Sequence, residues 1–432
     1  MQSQSESQPT SGKLFAQITR TPSFQPRLAT ARHLRGHDQP AVREWHAFGI
    51  DSVEWHHERI TGLRITARGW ISHHVRLLQD FPDLTTIRLR LVRPYVSELA
   101  KSRSFDRLTG IDIADNDLTA DSVTTLAQAI PTESVRTLNL AGNRLTAPDI
   151  ERLLADFGWT RLESLDLTGN DTSGIAVRNW RLPTTLRDLR LNRTQLQHLP
   201  TLPAGLFECS AAENPSLQVA DESRFWASLA DRAWQKLDLA GCDLGGQSAD
   251  WLRLLPESKG VRHLRLSQNR LNADELVAFA QFGWFTACES LDLAGNPMGP
   301  FGFQAVREAI VPSRCRRLDL QRIELTDWAL HAWIAASRAA PAAESLESLE
   351  SLSLAWNPLS EKSLRAFCES GLAPNLRELD LSGITMSLPL IEALVRRSEC
   401  ARLERLILRD CPRLRETGIA RLRNRFGENV QF

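Results

Sequence analysis

Seven of the ten histidines fall before residue 75, among them the adjacent pairs His56–His57 and His73–His74. Imidazoles gathered in one stretch could hold a zinc ion, whose bound water could hydrolyse an ester or amide. That chemistry needs three or four ligands converging on one point, and neither pair has the C-x-x-C or H-E-x-x-H spacing that aims them together. A metal-dependent hydrolase using His56 and His73 ranks third among the readings, and no metal or cofactor is expected. Asp, Ser and His are all present, but there is no G-x-S-x-G elbow, phosphate-binding loop or Gly-rich nucleotide motif. The chain reads as a non-enzyme.

The cysteines point the same way. They number seven, an odd count, and five of them (Cys209, Cys242, Cys288, Cys315 and Cys411) stand where a recurring pattern calls for a small buried residue. Reduced, buried thiols are expected, which suits a cytoplasmic setting. The 52 basic and 52 acidic residues cancel, removing the electrostatic case for nucleic acid or an anionic membrane as main partner. The amino-terminal MQSQSESQPTSGK has neither a basic start leading into an apolar stretch nor a glycine after Met1, so it reads as neither a secretion nor a myristoylation signal. No run approaches the roughly 18 to 20 apolar residues that cross a bilayer.

The elements that would position any such residue come from a repeated segment, LxxLxLxxN. Its first apolar positions are 84, 108, 135, 162, 186, 206, 234, 261, 288, 315, 349, 376 and 403, so seven of the twelve intervals are 27 residues and one is 28. In VRTLNLAGNRL, Leu138 and Leu140 alternate inward as a strand requires, while Asn139 between them faces out. Asn143 can then bond the backbone of the turn that leaves the strand, and Asn116, Asn170, Asn214, Asn269, Asn296 and Asn357 hold the same place. The stretch after each such turn has helical spacing with caps: Thr146 before Pro148, Ile150, Leu153 and Leu154; Asn272 with Glu275; Ser360 with Gly371 as a stop.

A fixed period with this leucine pattern resembles the leucine-rich repeat, and the 27- to 28-residue spacing with full helices resembles its ribonuclease-inhibitor-like subclass. The resemblance implies an α/β solenoid, a horseshoe with parallel strands on the concave face and helices on the convex face. The organisation expected is a disordered Ser/Gln/Pro-rich tail over 1–37, an amino-terminal cap over 38–83, about thirteen repeats over 84–414, and a carboxy-terminal cap over 415–432. LRDLRLNRTQLQHLPTLPAG, residues 186–205, looks like the shorter LPxLP repeat of bacterial effector-type proteins, in which an extended segment replaces the helix. Ubiquitin ligases of that type carry a separate catalytic domain after the repeats, whereas 18 residues follow Leu414 here. The cap segment WHHERITGLRITARGW and the ending RLRNRFGENVQF are similar to the ends of bacterial repeat-companion-type proteins, which implies a bacterial interaction protein with no catalytic residues.

Aligning the copies makes the outer strand face legible. Its central column runs Arg88, Asp112, Asn139, Asp166, Arg190, Ser210, Asp238, Arg265, Asp292, Asp319, Ser353, Asp380, Ile407. Strands lie about 4.8 Å apart, so Asp292 and Asp319 are close like charges unless Arg265 or Arg317 compensates them. Either the column is self-compensated scaffold or it is a mixed polar surface for a partly basic protein or peptide. A second column alternates in sign (Arg262, Glu289, Arg316, Glu350, Arg377, Glu404) and predicts a ladder of surface ion pairs. Phe207 and Trp356 depart from their columns and are candidate binding anchors, although a cation–π stack on Arg322 would account for Trp356 without a partner. Further breaks fall at Thr194, Ile323 and Ile384, and His263 sits between Arg262 and Arg265 as a possible contact residue.

The chain reads as a scaffold that binds a protein on its concave face, through some of Asp166, Arg190, Phe207, Asp238, His263, Arg265, Asp292, Asp319 and Trp356. The runner-up is a regulator that inserts Arg190 or Arg265 into a partner enzyme. Partner identity and oligomeric state are not legible. SRAAPAAESLESLES, which lengthens one interval to 34, reads as a tolerated surface bulge.

Overall fold

The computed structural model describes residues 47–56, 59–218, 223–246, 255–310, 314–339, 346–396 and 402–432. The expected tail, Trp45, His57 and residues 340–345 of the bulge before Ser351 lie outside these residues. The chain divides into two compact units, Met1–Thr194 with Pro200–Leu206, and Gln195–Leu199 with Phe207–Phe432.

The first unit opens with β1 (Ile50–His56) and β2 (Arg59–Thr66), paired antiparallel. Helix α1 (Ala67–Asp80) follows, its start fixed by the Thr66 hydroxyl, which accepts the Gly69 N–H at 3.2 Å. Trp70 is fully buried and donates its indole N–H to Ser104 Oγ at 2.9 Å. Then come β3 (Thr86–Arg90), α2 (Val96–Lys101), β4 (Gly110–Asp112), α3 (Ala120–Ala127), β5 (Thr137–Asn139), α4 (Ala147–Asp156), β6 (Ser164–Asp166), a 3₁₀ turn at Ile175–Asn179, and β7 (Asp188–Arg190). From β2 to β7 each strand pairs in parallel with the next.

The second unit runs β8 (Glu208–Ser210), α5 (Ser223–Ala230), β9 (Trp234–Asp238), β10 (Val261–Arg265), α6 (Ala273–Gln281), β11 (Ser290–Asp292), α7 (Gly299–Ile310), β12 (Arg317–Asp319), α8 (Asp327–Ala339), β13 (Ser351–Ser353), α9 (Glu361–Ser370), β14 (Glu378–Asp380), α10 (Leu388–Arg396), β15 (Arg405–Ile407), α11 (Glu416–Phe426) and β16 (Val430–Gln431). From β8 to β16 the strands pair in parallel, in sequence order. Among the described residues no helix lies between 191 and 207, where Leu196, Leu199 and Leu202 are buried.

The alternation legible in the sequence explains these elements. Leu138, Leu165, Leu264, Leu291 and Leu318 are buried beneath the sheet while the residue after each faces out. Each such leucine contributes about 2 kcal/mol of burial. The Thr146–Asp149 and Asn272–Glu275 capping boxes form, and α9 runs from a Ser360 cap to Gly371 at φ 70°. The asparagine column is buried and bridges repeats: Asn143 Oδ1 accepts the Leu118 N–H at 3.0 Å, and its amide donates to Leu140 O at 2.8 Å. Cys242, in an asparagine position, makes one such bond through its thiol, Sγ to Ala211 O at 3.1 Å. The repeating strand, asparagine turn and helix constitute the leucine-rich repeat architecture, a mixed α/β fold. One element was not expected from the pattern. The terminal ENVQF supplies β16, where the Gln431 carbonyl accepts the Leu408 N–H at 2.7 Å and closes an edge that β15 would otherwise expose.

Candidate functional site

The central column of the sheet serves the backbone first. Asp112 accepts the Ala114 N–H at 3.0 Å, Asn139 the Ala141 N–H at 3.0 Å, Asp166 the Thr168 N–H at 3.0 Å and Asp238 the Ala240 N–H at 3.2 Å. Asp292, Asp319 and Asp380 do the same for Ala294, Gln321 and Ser382 at 3.1, 3.0 and 2.8 Å. One side-chain oxygen therefore fastens the amide two residues on, as the chain turns out of the strand. The acid-rich column is a turn requirement before it is a binding surface. The sequence carries the signal: Asn139 shares the column with the aspartates, and the two side chains have in common an acceptor oxygen, not a charge.

The second carboxylate oxygen distinguishes one place from another. In the first unit Arg88 lies 3.4 Å from Asp112, and Arg190 lies 3.9 Å from Asp166 and 3.1 Å from Asp188. Arg88, Asp112, Asp166 and Arg190, with Glu54 and Asn139, line a small depression of about 200 Å³. Burial pushes the Asp112 carboxyl up, against the Ala114 N–H and Arg88, which pull it down.

In the second unit Arg265 Nη1 reaches Asp238 at 2.8 Å and its Nε reaches Asp292 at 3.2 Å, with the Ser267 hydroxyl donating to Asp292 at 2.9 Å. Asp238 has 4% of its side chain exposed, and Arg265 is the cation set against it. Burial alone would lower the Arg265 guanidinium; Asp238 and Asp292 hold it above its ordinary value. This is the compensation the spacing allowed for, and it stops at β11. Asp319 faces Asp292 on one side and Ser353 on the other, with Asp380 beyond. Burial pushes its carboxyl up to about 6; the Gln321 N–H opposes this, while Asp292 and Asp380 add to it. No cation stands among these main influences, and Arg317, offered by the sequence as a compensator, is exposed two residues earlier.

The two aromatic departures differ. Trp356 follows β13 with φ +57°, in the left-handed position that Gly142, Gly169, Gly241, Gly295 and Gly383 fill in other repeats. A bulky side chain there carries backbone strain. The residue is 39% exposed, with the Arg322 guanidinium 5.0 Å from its ring centroid on one side. On the other side it lies over Gly383, where a Cβ would come within 2.4 Å of the ring. The cation–π stack therefore exists, yet the outer part of the ring stays open to solvent. Phe207, 36% exposed, sits just before β8 and lines a depression of about 600 Å³ with Trp234, Lys259, Arg262 and Arg314. His263 lies half-buried between Lys236 and Ser290 of the neighbouring strands. Thr194, Ile323 and Ile384 are buried and fill the turn from within, which removes them as contact residues.

The sign-alternating column closes into ion pairs: Arg136 with Glu163, Arg262 with Glu289 at 3.0 Å, Arg316 with Glu350 at 2.8 Å and Arg377 with Glu404 at 3.1 Å. His73 and His74 have other neighbours. His73 stacks on Phe48, centroids 4.3 Å apart, and His74 Nδ1 lies 3.1 Å from Ile71 O. Among the described residues no group of three or more His, Cys, Asp or Glu side chains could hold a metal ion, and no helix is long and apolar enough to cross a membrane.

The structure thus brings Asp238, His263, Arg265, Asp292 and Asp319 together on four adjacent strands, and Asp166 with Arg190 separately in the first unit. Phe207 and Trp356 lie at opposite strand ends. The column alone does not single out Asp380 as the partner of Asp319 in an uncompensated stretch, nor Gly383 as the floor under Trp356; both need register.

Architecture and face define an α/β fold of the leucine-rich repeat type with a polar, partly uncompensated sheet surface. No protein-family model matches the chain, and no curated protein matches it. Among solved structures it is similar to a chain of the yeast Rad7 and Elc1 complex, at 17% identity over 78% of this chain and 72% of that one, TM-score 0.39. It is also similar to an internalin from Listeria monocytogenes, at 14% identity over 91% and 93%, TM-score 0.36. Neither likeness bears on partners.

Proposed function

We propose that this protein is a non-enzymatic docking scaffold whose second unit holds a basic segment of a protein partner on its sheet face, over β11 to β14. One observation carries the reading: Arg265 satisfies Asp238 and Asp292, and the next acids, Asp319 and Asp380, have no such cation among the described residues. A lysine or arginine from a partner would supply it, and short rigid strands present the acids already ordered, which lowers the entropy lost on binding. Trp356 borders this stretch and offers an aromatic face. Insertion of Arg190 or Arg265 into a partner enzyme is the weaker reading, because both guanidiniums are engaged by carboxylates.

The 27-residue spacing and full helices support the ribonuclease-inhibitor-like subclass, and the helix-free stretch 191–207 supports a shorter LPxLP-type insert and hence a bacterial source. Buried free thiols, with Cys242 and Cys315 pushed up to about 12, support a reducing, cytoplasmic setting. Affinity capture with mass spectrometry tests the binding face. Asp319→Asn with Asp380→Asn keeps the turn acceptors and removes the charge. A partner held by wild type and lost by this variant is the expected outcome; undiminished capture of every partner refutes the surface.

A further inference from the structure

We infer that the first turns of α7 and α8 form a second docking surface, independent of the sheet face, for an amphipathic helix carrying basic residues beside its apolar side. Phe301 of α7 is 72% exposed and Trp328 of α8 is 66% exposed. They are 27 residues apart, one repeat, and so occupy equivalent positions on neighbouring, packed helices. The same position one repeat earlier, on α6, holds Asp274, and the same turn of α9 holds Lys362. Polar residues suit a solvated first turn, and the aromatic pair replaces them without serving the core. Below it, Phe303 and Trp333 already close the interior edge to face at 5.2 Å, with Met298 and Leu330 buried.

The helices are locked together at this level. Gly302 lets α7 approach α6 so closely that a Cβ would come within 3.1 Å of the Ala273 Cα. Asp327 of α8 accepts the Ser360 N–H, before α9, at 2.8 Å, and the His331 ring stands 3.3 Å from Ser363 Oγ. The aromatic surface is therefore fixed on rigid elements.

Charge selects the occupant. Asp274 and Glu324 are exposed around the pair, Asp327 and Glu361 are part-exposed, and of the exposed bases at this level, Arg270 and Lys362, Arg270 is engaged by Asp243. Burial would raise the Asp327 carboxyl, but the Ser360 N–H and hydroxyl hold it below its ordinary value, so it stays charged. A second copy meeting this patch face to face would bring acid against acid, and an anionic lipid surface would be repelled. A basic amphipathic helix matches both the rings and the rim.

The test is fluorescence anisotropy of three labelled 18-residue peptides: an amphipathic Leu/Lys helix, a scramble of the same composition, and a Leu/Glu counterpart. Wild type should bind the Leu/Lys helix at least tenfold more tightly than either control. Phe301→Ser with Trp328→Ser should lose that preference while keeping its circular dichroism and urea midpoint. Asp319→Asn with Asp380→Asn should keep it. Unchanged binding by the aromatic variant, equal binding of the Leu/Glu peptide, or loss caused by the sheet variant would each overturn the inference. So would a concentration-dependent dimer in light scattering that the aromatic variant abolishes, which would make the occupant a second copy.

Discussion

Around β10 the charges of the sheet close on themselves, and two strands further on they do not. Arg265 spans Asp238 and Asp292 with two hydrogen-bonded contacts, and the result is a surface with little left to offer a partner. Between β12 and β14 the same column, built on the same turn chemistry, leaves Asp319 and Asp380 facing across Ser353. An acidic column therefore cannot be read as a binding site by its sign. Its aspartates are held in place by the backbone amides they accept, and the proposed binding rests on the second oxygens that lack a cation.

The largest effect should come from opening the closed region. Arg265→Ala leaves Asp238 nearly buried without its partner and should destabilise the second unit by about 2–3 kcal/mol. The urea midpoint at pH 7.5 would read this, with an unchanged m-value. A loss below about 0.5 kcal/mol would mean that the region is as uncompensated as β12, erasing the contrast.

Relieving the open region should have the opposite sign and a smaller size. The Asp319 carboxyl sits at about 6 in the folded protein against an ordinary 3.8. An acid raised on folding disfavours the folded state at pH values where it is ionised in both states. The penalty fades as pH falls through about 6 and the folded state takes up its proton first. Asp319→Asn, which can still accept the Gln321 N–H, should therefore stabilise the protein by about 1–2 kcal/mol at pH 7.5 and progressively less toward pH 4.5. Equal gains at both pH values would detach the effect from ionisation.

The ladder marks the floor of the scale. Arg316 and Glu350 are both well exposed, at 59% and 40%, so a double-mutant cycle between them should give a coupling below about 0.5 kcal/mol, falling further in 1 M salt. A coupling as large as the Arg265 effect would show that exposed pairs matter as much as enclosed ones here.

Much of the fold was readable because the repeat is redundant: each buried leucine, asparagine turn and cap is stated several times over. Thr146, Asn272 and Ser360 could be named as caps from local spacing because capping is a contact between residues two or three apart. The site was less readable. Arg265, Asp292 and Asp319 stood out by column, but whether a guanidinium turns toward one neighbour, both or solvent is settled by rotamer and register. Phe301 and Trp328 escaped notice altogether, because an aromatic in a helical first turn looks like core until its exposure is known.

The sequence by itself determined the recurring strand and asparagine turn and the capped helices that follow Thr146, Asn272 and Ser360, since these rest on periodicity and short-range hydrogen bonding. It also determined that Trp356 is out of pattern and that the charged column alternates. Tertiary structure alone decided which carboxylates are neutralised, that Gly383 provides the floor for the Trp356 ring, and which aromatics face water. Those outcomes depend on side chains 25 or more residues apart meeting across adjacent strands and helices, at distances that no local pattern encodes.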